Sequence, residues 1–160
     1  MKRSIIKSTG RYVPGRHVAN EELSELMETS NEWIVQRTGI EARHWIGEGE
    51  DFGTSDLAYE ASMIALERAG WNPENLDLIV FATMTPDVKV PCSGVFLQNR
   101  LGAKKIPALD IRHQCTGFLH GLEICDAYIR SAKAQKILLV GAEYQSRYLE
   151  LTTENRDTAV

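Results

Sequence analysis

Apolar positions along the chain recur with two different periods, and the two alternate. Over residues 55–69, Leu57, Ala58, Ala61, Ile64, Ala65, Leu66 and Ala69 return every three or four places, which gathers them on one face of a helix. Gly70 is a stop signal and Pro73 lies just beyond it. Residues 76–82, Leu-Asp-Leu-Ile-Val-Phe-Ala, are instead a short and nearly continuous apolar run, the pattern of a strand covered on both faces of a parallel sheet. Further on, 93–101 predicts a helix ended by Gly102, 107–111 a strand, 116–131 a long helix, and 137–141 another buried strand. Strand, helix, strand, helix, strand in that order is a parallel α/β sheet with right-handed crossovers.

The flanking segments are read from turn and cap signals. Residues 4–8 predict a first strand, followed by a turn region around Gly10, Pro14 and Gly15. A short helix begins at Asn20, whose side chain is placed to cap it. Thr29-Ser30-Asn31-Glu32 has the Thr-x-x-Glu form of a capping box and starts a second short helix holding Trp33, Ile34 and Val35. Residues 157–160 read as the opening of one more strand.

Composition narrows the function classes. With 160 residues, 43% hydrophobic and 25% charged, disorder, collagen and coiled coil are excluded, and one domain is the expectation. The formal charge of −4 is spread along the chain, and no Lys/Arg block is present to follow a nucleic-acid backbone, so no nucleic-acid partner is expected. Near the N-terminus Ile5-Ile6 is too short an apolar stretch for a signal peptide, and no run approaches the length of a membrane span. A cytoplasmic protein follows. Cys92, Cys115 and Cys125 form an odd set without zinc-site spacing, so reduced thiols and no metal are expected.

Cys115 is the first candidate for chemistry. It lies between a predicted strand and the start of a predicted long helix, where unpaired N–H groups favour the thiolate, and Thr116 and Gly117 leave room for a ligand. A small buried cysteine is the plain alternative, and placement alone does not choose between them. Cys92 and Cys125 read as filler, and ten helical residues, about 15 Å, separate Cys115 from Cys125 and oppose a disulfide. Of His17, His44, His113 and His120, His113 is two residues from the thiol and is the one that can bias it, although a solvated or hydrogen-bonded histidine is the commoner case for all four. Trp33 and Arg37 are four apart and share a helix face, where an indole and a guanidinium can hold an adenine nucleotide; a surface cation–π pair is the plainer reading. There is no GxxxxGK and no GxGxxG.

In order along the chain, GRYVPGRHVAN (10–20), TSNEWIVQRTGIEARHW (29–45), SDLAYEA (55–61), LDLIVFATMTPD (76–87), QCTGFLHGLEICDAYIRS (114–131), ILLVGAE (137–143) and ENRDTAV (154–160) resemble the β-ketoacyl-ACP synthase III family of thiolase-like condensing enzymes. The resemblance covers nearly the whole chain and implies the N-terminal half, residues 1–160, of a duplicated, layered α/β fold with a mostly parallel sheet. It implies that Cys115 is the nucleophile that takes an acyl group from acyl-CoA. A malonyl thioester on acyl carrier protein then loses CO2 and attacks the acyl-cysteine in a decarboxylative Claisen condensation. Trp33, Arg37 and Arg156 fall on the family's CoA-binding positions, with Thr29 a weaker contact. No cofactor is implied beyond these substrates, and the implied partners are acyl carrier protein and a second subunit.

Two positions depart from the family pattern. Val90 stands where several bacterial members carry an aromatic in the loop that reaches the partner's acyl pocket, which puts acetyl priming in doubt, and Arg112-His113-Gln114 replaces small apolar residues before the cysteine. None of the four histidines matches the family's catalytic His, which together with an Asn lies in the downstream half. The expectation is a nucleophile-bearing half that is not competent alone, pairing with a second copy or with a chain that supplies the other half. The alternative is an inactive truncated or split homologue that serves as a dimerisation partner through residues 81–97.

Overall fold

A computed structural model describes residues 3–47, 49, 51–103 and 105–160. The elements in chain order are β1 (Arg16–Ala19), α1 (Asn20–Leu26), α2 (Asn31–Thr38), β2 (Ala42–Trp45), α3 (Thr54–Ala69), β3 (Leu78–Ala82), α4 (Ser93–Leu101), β4 (Ala108–Ile111), α5 (Gly117–Arg130), β5 (Ile137–Gly141) and α6 (Arg156–Ala159). They fall into two compact units, one with the described residues up to Tyr12 and Phe52–Glu143, the other with Val13–Asp51 and Tyr144–Val160.

The larger unit is the predicted parallel sheet, in the order β4-β3-β5. Ile79 pairs with Ala108 on one side, and Leu78 with Ile137 on the other. All five residues of β3 are buried, as its unbroken apolar run requires. Phe81, Ile79, Leu138 and Val140 pack with Ala58 and Leu66 of α3 and with Leu97 and Leu101 of α4. Leu78 and Val80 cluster instead with Cys125 of α5, and Leu139 packs against that group. Three carboxylates fix the joints. Asp110 accepts from the Ser93 and Gly94 amides at the start of α4, Asp87 from Ser55 in α3, and Asp77 from the amides of Gln135 and Lys136 before β5.

Residues 4–8 are not a strand. Ser4 Oγ donates to Asp126 of α5, Ser8 Oγ donates to the Ala65 carbonyl of α3, and Ile5 and Ile6 are 80% and 73% exposed. The local sequence suits a strand, but a strand exists only through a neighbour, and among the described residues none pairs with this segment.

The smaller unit pairs β1 with β2 antiparallel, His17 opposite His44, and packs Val18, Leu23, Met27, Ile34 and Ala159 into its own core. This ladder is absent from the sequence expectation because its strands are four residues long, and only Val18 of β1 is buried. Three local expectations are corrected. Asn20 is the first residue of α1 rather than its cap, and its amide donates to Asn31 Oδ1 and to the Ile40 carbonyl inside the fold. The cap of α2 is Ser30, whose hydroxyl accepts from the Trp33 amide, so Thr29 lies one place too early to act. Residues 157–159 belong to the helical turn α6 and Val160 follows it, so this segment is not a strand, and Ala159 and Val160 join the hydrophobic cluster. No described helix is long and apolar enough to cross a membrane.

Candidate active site

The chain leaves β4, turns through a short 3-10 segment at Gln114–Thr116, and enters α5 at Gly117. Cys115 sits on that turn and is exposed, so the buried-filler reading fails for it. Gln114 carries φ of +46°, a left-handed conformation that costs a residue with a side chain about 1–2 kcal/mol. Gly117 is buried, and a Cβ there would come within 3.3 Å of Ala82 Cβ, so the glycine lets the start of α5 close onto β3. The strained residue and the small one together set the thiol at the mouth of the helix. Gln114→Gly is expected to raise the melting temperature by a few degrees, about 0.5–1 kcal/mol, because the relief of strain outweighs the added freedom glycine gives the unfolded chain. An unchanged or lowered midpoint in calorimetry counts against strain at this turn.

His113 does not serve the thiol as the sequence suggested. Its Nδ1 lies 2.8 Å from Thr116 Oγ1 and its ring packs at a 44° tilt against that of His120, centroids 3.9 Å apart. Among the described residues no hydrogen bond or ion pair is made to the Cys115 sulfur. His17 and His44 form a separate edge-on pair in the smaller unit, where His44 Nδ1 meets the Pro14 carbonyl.

All three cysteines are free, but they stand in different surroundings. Cys125 is packed beneath β3 and burial pushes its thiol up from 9.0 to about 11. Alkylation by iodoacetamide at neutral pH is therefore expected to modify Cys115 first and Cys125 only on unfolding, read by peptide mass spectrometry. The raised thiol also links stability to pH. Its contribution is intact below pH 9.0 and falls as pH rises toward about 11, because the unfolded chain releases a proton that the folded chain retains. A melting temperature flat across that window contradicts the burial of Cys125.

In the smaller unit α2 presents a second cluster. The Arg37 and Arg156 guanidinium carbons lie 4.1 Å and 4.2 Å from the Trp33 ring centroid. Helical spacing explains Arg37. Arg156 is brought in by the terminal helical turn, donates from Nη1 to the Glu28 carbonyl, and pairs with Asp157 at 3.4 Å. Thr29 Oγ1 is buried without a hydrogen-bond partner among the described residues. One flat indole with two cations beside it suits a π-faced, phosphate-bearing ligand. Glu32 on the same helix is held below the usual carboxylate range by its own backbone amide and by the Ser30 hydroxyl.

Two features escaped the sequence. Glu143 closes the end of β5 onto the loop after β3, its carboxylate accepting from the Met84 and Thr85 amides and from the Thr85 hydroxyl. Nothing in the spacing of residues 84 and 143 signals that contact. Arg43 on β2 has both terminal nitrogens buried and, among the described residues, unpartnered, and burial lowers its pKa. In the loop held by Glu143, Val90 is 85% exposed and Val88 45%, whereas Phe81 and Leu97, at the ends of the expected pairing region, are wholly buried. The exposed large apolar residues of that region are Met84, Val88, Val90, Val95 and Phe96.

Comparison with known proteins finds relatives along the whole chain. Residues 109–160 match the family described as 3-oxoacyl-[acyl-carrier-protein (ACP)] synthase III. The chain is 44% identical over all 160 residues to the β-ketoacyl-[acyl-carrier-protein] synthase III of Allorhizobium ampelinum, covering 48% of that protein. It is 45% identical over 158 residues to the one from Rhodospirillum centenum, again covering 48%. Among solved structures, the β-ketoacyl-[acyl carrier protein] synthase III of Thermus thermophilus superposes with a TM-score of 0.90 at 38% identity, over 98% of this chain and 47% of that one. The chain therefore spans about half the length of the curated relatives it matches.

Proposed function

We propose, starting from a chain that corresponds in sequence and fold to the N-terminal half of the β-ketoacyl-ACP synthase III proteins, that it is the acyl-accepting half of a condensing enzyme. The observation that carries this reading is Cys115, exposed on a strained turn at the start of α5. The Cys115 thiolate attacks the carbonyl carbon of an acyl-CoA thioester. A new sulfur–carbon bond forms, the bond to CoA sulfur breaks, and CoA leaves as a thiolate that takes up a proton. Trp33, Arg37 and Arg156 hold the nucleotide end of CoA through the indole face and the two guanidinium groups.

The second step joins the acyl group to a malonyl unit on acyl carrier protein, with loss of CO2 and return of Cys115 to the thiolate. It calls on a His and an Asn that the family carries in its other half, and no cofactor enters either step. His113 and His120, packed against each other, are not arranged to replace them. Acylation is accordingly the step that the residues of this chain carry. Val90, small and exposed, favours an acyl group longer or more branched than acetyl.

Incubation with radiolabelled acetyl-, isobutyryl- and hexanoyl-CoA tests the proposal. Protein-bound label that survives acid and is released by hydroxylamine is expected, strongest for the larger groups. Absence of label with all three sinks the acyl-accepting role. The exposed valines and Phe96 favour a second copy as partner, and sedimentation at increasing concentration checks it: a single monomeric species throughout removes the pairing.

A further inference from the structure

Asn20 is wholly buried in the smaller unit although it opens α1, a place where asparagine ordinarily caps a helix end. No side-chain cap bond is made there. Asn20 Nδ2 instead donates to Asn31 Oδ1 at 2.9 Å, on the first residue of α2, and to the Ile40 carbonyl at 2.7 Å, just past the Gly39 that ends α2. One amide thus holds both ends of an eight-residue helix. Stability alone does not call for an amide at this place, since a leucine of similar size would fill it without a polar group to desolvate.

What the amide supplies is direction. Ile34 is the buried residue of α2, with Trp33 partly packed beside it. A single apolar anchor holds a helix down but lets it roll and slide, because burial is non-directional. Two hydrogen bonds at opposite ends remove both freedoms. Trp33 and Arg37 ride on α2, whereas Arg156 is fixed to the segment before it. Its Nη1 donates to the Glu28 carbonyl, and the Glu28 amide donates to Thr153 Oγ1 at 3.0 Å. Keeping the Arg156 guanidinium 4.2 Å from the indole centroid therefore requires α2 to hold its place relative to residue 28. We propose that Asn20 is a positioning residue for the nucleotide cluster, setting the roll and height of α2 so that Trp33 meets Arg156 in register. This role rests on the reading of Trp33, Arg37 and Arg156 as the group that holds coenzyme A, and Asn20 itself touches no substrate.

The test labels the full chain with fluorotryptophan and follows the fluorine resonance of Trp33, assigned through Trp33→Phe, with Trp71 of the larger unit as the internal reference. Asn20→Leu is expected to move or broaden the Trp33 resonance and leave that of Trp71 in place. Asn31→Ala removes one of the two bonds and is expected to act in the same sense by a smaller amount, which keeps the test open if Asn20→Leu does not fold. Gly10→Ala, which destabilises the larger unit instead, should leave the Trp33 resonance unchanged and so separates positioning from loss of stability. Calorimetric titration with coenzyme A, well below every melting midpoint, is expected to show affinity lowered at least about threefold in Asn20→Leu and unaltered in Gly10→Ala. The proposal is overturned if the Trp33 resonance stays in place in the Asn20 and Asn31 variants, if folded Asn20→Leu binds as tightly as the unmodified chain, or if Gly10→Ala weakens binding equally. An unmodified chain that does not bind coenzyme A would overturn the nucleotide reading, while the fluorine resonances would still decide whether Asn20 sets the place of α2.

Discussion

Replacing Trp33 by alanine is expected to weaken capture of coenzyme A at least tenfold. Both arginine carbons lie within 4.2 Å of the indole centroid, so the ring positions two cations as well as offering its own face. Loss of a base-stacking aromatic costs about 1–3 kcal/mol, and 1.4 kcal/mol is a factor of ten in affinity. The alanine also leaves the two guanidinium groups without the π surface that draws them together. Trp33 packs partly against the core of the smaller unit, so some loss of stability accompanies the change. Trp33→Phe separates the two effects, since it retains a ring face and most of the packing and should keep affinity within a few-fold. Arg156→Ala is expected to reduce affinity less, and to flatten its salt dependence, because its share is mainly phosphate charge. Calorimetric titration measures all three. Equal affinity of Trp33→Ala and the unmodified chain would remove the nucleotide role from this cluster.

Gly10→Ala is expected to be the most damaging single-methyl change in the larger unit. An added Cβ would abut the Ala61 carbonyl oxygen and come within 2.7 Å of the Ala65 amide nitrogen, both backbone atoms of α3 that cannot rotate away. The flanking bonds, Ser8 Oγ to the Ala65 carbonyl at 2.7 Å and Arg68 to the Thr9 carbonyl at 2.8 Å, hold the crossing in place. Overpacking of this kind costs about 1–3 kcal/mol, which for a chain of this size lowers the melting temperature by about 2–12 °C. Gly15→Ala is the control: nothing lies within 4 Å of its added Cβ, so its midpoint should stay close to the original. If the two variants melt together, the close crossing of residues 8–10 over α3 is wrong.

The parallel sheet was legible because its signals are local and redundant. The apolar run at β3, the helical spacing of α3, and the glycines with φ of 67° and 74° that end α3 and α4 all lie within a few residues of what they specify. The same holds for the pairing of Trp33 with Arg37, which needs only helical geometry. What was illegible depends on partners remote in sequence. Residues 4–8 need a neighbouring strand, Asn20 is drawn from its cap position to Asn31 and Ile40, and Arg156 reaches Trp33 across more than a hundred residues. The family resemblance supplied Arg156 where spacing could not. Gln114 is a different case. Its left-handed backbone is imposed by the turn into α5, and glutamine at such a position gives no local signal.

The central claim is that Cys115, and neither of the other two cysteines, takes the acyl group. The most direct measurement is mass spectrometry of the digested protein after incubation with isobutyryl-CoA. The prediction is one acyl group on the peptide bearing Cys115, absent in Cys115→Ala, with Cys92 and Cys125 unmodified. Acylation that persists in Cys115→Ala, or no acyl group on the Cys115 peptide, would contradict it.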